Sequence, residues 1–134
     1  MVSKLKTAFA NLLTELGYNF SDNAVYETEL PWLKMRTNGH RRQNTFDCRY
    51  DIITLTVDVF SAYSGEKEIL EIAENIGNHM DDMKNVMSEI MCVEQLSHHI
   101  LDDNSKGPIK KHGVLSYRFI LASANVEEEA DENE

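Results

Sequence analysis

The stretch Cys48–Gly77, "CRYDIITLTVDVFSAYSGEKEILEIAENIG", changes its periodicity midway. Between Arg49 and Ser61 the apolar residues Ile53, Leu55, Val57 and Val59 alternate with Thr54, Thr56 and Asp58, which predicts a strand with one face in a core. After Ser64 and Gly65 the apolar residues Ile69, Ile72, Ala73, Ile76, Met80 and Met83 recur at helical spacing. Ser64 is the expected cap of a helix beginning near Gly65, with Glu66 and Glu68 suited to its positive end. The joint therefore reads as strand, short turn, long amphipathic helix.

Upstream, Leu5, Ala8, Phe9, Leu12 and Leu16 give a helix over residues 3 to 16, with Ser3 as expected cap and Gly17 as its stop. Two short extended segments follow, Ala24–Leu30 and Trp32–Thr37, and Pro31 between them puts the pair at an edge or bend. In the second, Leu33 and Met35 face opposite Trp32, Lys34 and Arg36. The polar segment from Thr37 to Asp47 holds no apolar residue before Phe46 and reads as a protruding, flexible basic loop. Downstream, a further helical turn is expected around Met87 to Ile90. Then "MCVEQLSHHIL" and "GVLSYRFILASA" alternate as two strands of a hairpin across "DDNSKGPIKKHG". The order predicts an α+β fold: an antiparallel β-sheet with the long amphipathic helix and the N-terminal helix packed on one face.

The chain has 134 residues, enough for one domain with a real core. Its formal net charge is -10, but the last nine residues, "VEEEADENE", hold six acids, and residues 1 to 125 carry 13 cations against 17 acids. A single domain over 1–125 and a disordered acidic tail over 126–134 are expected; the tail is either a solvated run or a segment that docks on a basic partner. No apolar run approaches the ~20 residues of a membrane-spanning helix. The N-terminus lacks the uninterrupted core of a signal peptide, so a soluble protein made in the cytoplasm is expected, with no membrane partner.

Chemistry is hard to place on this sequence. Cys48 and Cys92 are too few for a disulfide or zinc framework and are expected to be buried free thiols. The adjacent His98 and His99 point to opposite faces of a strand, His79 lies in the helix, and His40 and His112 fall in expected loops, with no HExxH or paired CxxC to join them. Asp81 and Asp82, like Asp102 and Asp103, sit where solvated acids are ordinary. With no nucleophile elbow and no phosphate-binding glycine loop, no enzyme, cofactor or metal is expected. One cluster departs from the acidic background: Lys34, Arg36, His40, Arg41, Arg42 and Arg49 lie within sixteen residues that include a single acid, Asp47. Such a cluster suits an anionic partner, either an acidic protein surface or nucleic acid, or else it is a solvated loop. The sequence pI of about 4.9 argues against a dedicated DNA binder.

The "KLKTAFANLL" helix, the polar loop, the strand Thr54–Ser61 and the helix Lys67–Ile76, followed by a strand hairpin, resemble the small tail-completion and tail-terminator proteins of long-tailed, siphovirus-type phages. In that family a strand similar to "TLTVDVFS" leads through a glycine-containing turn into a helix similar to "KEILEIAENI". The resemblance covers most of residues 3 to 123. It implies a structural protein of the virion head–tail interface, assembled in the host cytoplasm. Such a protein starts as a monomer and becomes a homohexameric ring between the tail tube or terminator protein and the head completion or connector protein. DNA would pass through the ring without specific binding. A second class is an acidic DNA mimic, or another small phage protein that inhibits a host protein, although such a mimic would space its charge along the folded body. A small hydrolase comes third.

Overall fold

The computed structural model describes residues 1–21, 30–44, 48–103 and 107–123. The elements run α1 (Val2–Glu15), β1 (Asn19–Ser21), β2 (Trp32–Asn44), β3 (Arg49–Ser61), α2 (Lys67–Asn78), a 3-10 turn (Met80–Asp82), α3 (Met83–Val86), β4 (Ile90–Asp102) and β5 (Lys111–Ser123). The expected tail over 126–134 and all but the last residue of the expected segment Ala24–Leu30 lie outside the described residues.

β3 is a central strand of one five-stranded sheet ordered β1-β2-β3-β5-β4. The expected α+β class holds. Most of the sheet is antiparallel as expected, but β1 pairs parallel with β2 over Asn19–Ser21 and Trp32–Lys34, so the sheet is mixed. The three residues of β1 are too few to announce a strand by periodicity.

One core joins the odd positions of β3 to both longer helices: Ile53, Leu55, Val57 and Val59 share a buried cluster with Ile69, Ile72, Ala73 and Ile76 of α2 and with Leu5, Phe9, Leu12 and Leu13 of α1. Both helices thus cover the face that carries this cluster. β5 passes close beneath α2: a Cβ added at Gly113 would stand 2.5 Å from Ile69 Cγ2. Phe9 meets Tyr117 edge-on at 5.6 Å, and burial raises the Tyr117 phenol pKa, so the ring stays neutral in the core.

Helix ends depart from expectation in detail. Met1 is the N-cap of α1 in place of Ser3. At the other end Gly17 has φ +90, the Gly17 N–H donates to Thr14 O and the Tyr18 N–H donates to Leu13 O, the double bond that closes a helix through a left-handed glycine. Glu66, not Ser64, is the N-cap of α2. Ser61 does the local work instead, donating its hydroxyl to Glu68 Oε1 and accepting the Tyr63 N–H. The expected turn at Met87–Ile90 falls earlier, as α3 over Met83–Val86.

The largest correction concerns the expected loop from Thr37 to Asp47. As far as Asn44 it is strand: β2 pairs with β3 from Trp32↔Phe60 through Asn44↔Arg49. The polar residues gave no alternation to read because from Arg36 to Asn44 the side chains are exposed on both faces and backbone pairing holds the segment. His40 and His112, expected in loops, lie in β2 and β5.

Candidate functional site: the basic hairpin

Asn38 has no cross-strand partner in the β2–β3 ladder, which passes from Thr37↔Leu55 to Gly39↔Thr54. This bulge reverses the facing of everything beyond it. Before it, Leu33 and Met35 face the helices and Lys34 and Arg36 face away; after it, His40 and Arg42 share the helix-side face with Asp51, and Arg41 points away with Ile52.

The six cations of the sequence cluster are therefore divided between two faces. On the open face, Arg36 Nε donates to Asp58 Oδ2 at 2.8 Å, and His112 Nε2 lies 2.9 Å from Asp58 Oδ1. Asp58 is only 5% exposed. Burial pushes its carboxyl pKa up, but the hydrogen bonds and charges of His112 and Arg36 outweigh that and hold it below the ordinary carboxylate range. The same hydrogen bond raises the Arg36 guanidinium. Above this group the rings of Trp32, Phe60 and His112 stack in series, with centroids 4.9 Å and 4.6 Å apart, so the imidazole is held in position.

On the helix-side face, Asp51 is 1% exposed and binds two residues of the cluster, His40 Nε2 at 2.9 Å and Arg42 Nε at 3.3 Å. Its second oxygen, Oδ2, is buried and has no hydrogen-bond partner among the described residues. Arg49 donates to Asn44 Oδ1 at 2.9 Å near the hairpin end. Lys34 stands across from Asp58, and Arg41 is exposed.

The cluster is thus a pair of clasps rather than a loose basic loop. Three of the six residues hold buried carboxylates, yet the side chains of Arg36 and Arg42 remain 47% and 35% exposed, so both guanidinium groups stay in reach of solvent. Sequence reasoning missed Asp51, Asp58 and His112 because it counted acids along the chain, whereas the clasps close across strands. The β2–β3 register was the signal that would have found the two aspartates. The two cysteines correct another expectation: both are exposed, Cys92 on the face of the outermost strand β4 that is turned away from α1 and α2, and Cys48 just ahead of β3.

Among the described residues no group of three or more His, Cys, Asp and Glu is placed to hold a metal ion, and no helix is long and apolar enough to cross a membrane. The sequence matches no protein-family model and no curated protein.

Proposed function

We propose that this chain is a structural phage protein that completes the tail and joins it to the head connector as a ring around the DNA path. The observation that carries the reading is the joint from Thr54 to Ile76: the segment that resembles the tail-completion and tail-terminator proteins is a packed scaffold, with Leu55, Val57, Val59, Ile69, Ile72, Ala73 and Ile76 in the shared core. Such a scaffold serves to hold edges and arms rigidly toward neighbours. The clasped basic hairpin is one such arm, and Lys34, Arg36, His40, Arg41, Arg42 and Arg49 are the proposed contact residues. A closed ring needs two unlike, complementary patches on each subunit. Net acidity also suits a passage through which DNA slides, since a cationic lining would hold the phosphates. In this role the chain is not an enzyme and needs no cofactor.

The test is direct mixing of the purified chain with tails that lack it, followed by negative-stain imaging and by counting joined particles after heads are added. Added density at the head-proximal tail end and restored joining are expected. Tails that stay bare at saturating concentrations of chain would overturn the reading.

A further inference from the structure

Arg118 of β5 lies outside the basic hairpin, yet strand register sets it on the same sheet face as Arg36 and Arg41, the face turned away from α1 and α2. There Gly39 pairs with Thr54, Thr54 with Arg118, Arg36 with Thr56, and Thr56 with Ser116. Gly39, Thr54, Thr56 and Ser116 are thus four adjoining positions, short and uncharged, and the Thr56 and Ser116 hydroxyls lie 3.3 Å apart. Three arginines stand around them. Arg36 and Arg41 lie before and after Gly39 on β2, and Arg118 stands two strand spacings away, or ~10 Å. Asp58 holds Arg36, and Glu94 holds Arg118 through Nε at 3.2 Å and Nη2 at 3.1 Å. The side chains of Arg36 and Arg118 are nevertheless 47% and 37% exposed, and Arg41 is exposed. Exposed charge on this face is one-sided in a chain of formal net charge -10. Among the described strand residues the face carries Lys34, Arg36, Arg41 and Arg118, whereas of its two acids Asp58 is 5% exposed and Glu94 is bound to Arg118.

We propose that this patch binds an acidic, extended segment of a partner protein, whose carboxylates reach Arg36, Arg41 and Arg118 while its backbone crosses over Gly39, Thr54, Thr56 and Ser116. Charge complementarity chooses the class of occupant. A guanidinium has five donors, more than one carboxylate takes up, so Arg36 and Arg118 can be oriented by their own acids and still bind another. The arginines on β2 and β5 are too far apart for a single carboxylate to bridge. In an extended segment, alternate side chains lie on one side ~7 Å apart, a spacing that lets successive acids take separate arginines. Nucleic acid fits less well. Phe60 is stacked between Trp32 and His112, so its ring faces are closed to bases, and Asp58 and Glu94 on the same face oppose a continuous chain of phosphates. The proposal rests on the joining reading only for the identity of the partner, a tail or head protein.

Fluorescence anisotropy of a labelled octaglutamate peptide, titrated with the full chain in low salt, tests this. Saturable binding is expected, weakened several-fold by Arg41→Glu and by Arg118→Glu and unchanged by Lys84→Glu, which alters an exposed cation of α3. Glu94→Gln, which removes the carboxylate held by Arg118, should tighten binding several-fold, whereas damage to the fold would weaken it. No saturable binding, or equal binding by the parent, Arg41→Glu and Arg118→Glu, would overturn the proposal. Tighter binding of an oligodeoxythymidine of equal charge would overturn it in favour of nucleic acid. Binding that appears only once Glu127, Glu128 and Glu129 are changed to Gln would overturn it in favour of the chain's own acidic run. A chain that binds octaglutamate in the expected way but joins no tails to heads keeps this site and loses the joining role; a chain that joins them but binds no octaglutamate does the opposite.

Discussion

Arg36 reaches Asp58 diagonally across the sheet: Nε is 2.8 Å from Oδ2, although the register sets Thr56 opposite Arg36 and Lys34 opposite Asp58. The contact lies on the face that none of the described helices covers, so its strength does not come from the main core. Replacing Asp58 by Ala would leave Arg36 and His112 without their shared acceptor and should cost about 1–3 kcal/mol. Chemical denaturation at neutral pH measures it, and a variant as stable as the parent would show that the clasp contributes nothing to folding.

Asp58 also predicts a pH dependence. Its folded pKa lies below the ordinary value, so the native state favours the charged form. The associated stability is fully present above the unfolded value of about 3.9 and is lost as the pH falls through the lowered folded value. Asp58→Asn lacks this titration. The stability gap between parent and Asp58→Asn should therefore narrow below about pH 4, as read by melting at a series of pH values; a gap that widens there would contradict the assignment.

The core joint gives a contrast of two faces. Ile72, on the core side of α2, is 4% exposed, and Ile72→Ala should cost about 2–5 kcal/mol through lost burial and a residual cavity. Thr56 lies on the opposite face, yet it is 1% exposed and its hydroxyl is 3.3 Å from that of Ser116, so Thr56→Ala should cost about 1 kcal/mol. Melting the two variants side by side checks the order; equal losses would mean that the uncovered face packs as tightly as the core.

Gly113 beneath Ile69 predicts coupling. Gly113→Ala puts a carbon 2.5 Å from Ile69 Cγ2, the stiff branch of the side chain, and should cost about 1–3 kcal/mol. Adding Ile69→Ala removes that branch, so the double variant should lose less than the two single losses combined. Strict additivity in a double-mutant cycle would show that α2 shifts away freely.

The hairpin residues should separate into two kinds. Arg41→Glu changes an exposed side chain and should stay within about 0.5 kcal/mol of the parent. Arg42→Glu sets a second carboxylate against the buried Asp51 and should destabilise measurably more. Thermal melts of the two decide it, and equal stability would mean that Asp51 is not held by Arg42.

What was legible in the sequence followed from burial. Ile53 to Val59 and Ile69 to Ile76 show their periods because water is excluded from one side of each, and Gly17 marked a helix end because its backbone needs a positive φ. The hairpin arm was illegible for the opposite reason: from Arg36 to Asn44 no side chain is buried, so no pattern records the strand. The clasps escaped because Asp58 lies 22 residues from Arg36 and 54 from His112, distances that only strand register closes. Cys92 was expected inside because free cysteines are among the residues most often buried, and that tendency does not say which face a strand turns to water.

The unpaired Asn38 has a consequence for how this arm can change in length. It acts as a half-twist in a ribbon whose two sides carry different cargo: His40 and Arg42 meet Asp51 only because one residue is left over before Gly39. Were Asn38 drawn into the ladder, the far half would slide by one position, set Arg41 opposite Asp51 and turn His40 and Arg42 to the other face. Deleting Asn38 would instead leave Gly39↔Thr54 and His40↔Ile53 paired as they are. The arm can therefore spare this asparagine but cannot absorb it, so shortening here is tolerated where straightening is not.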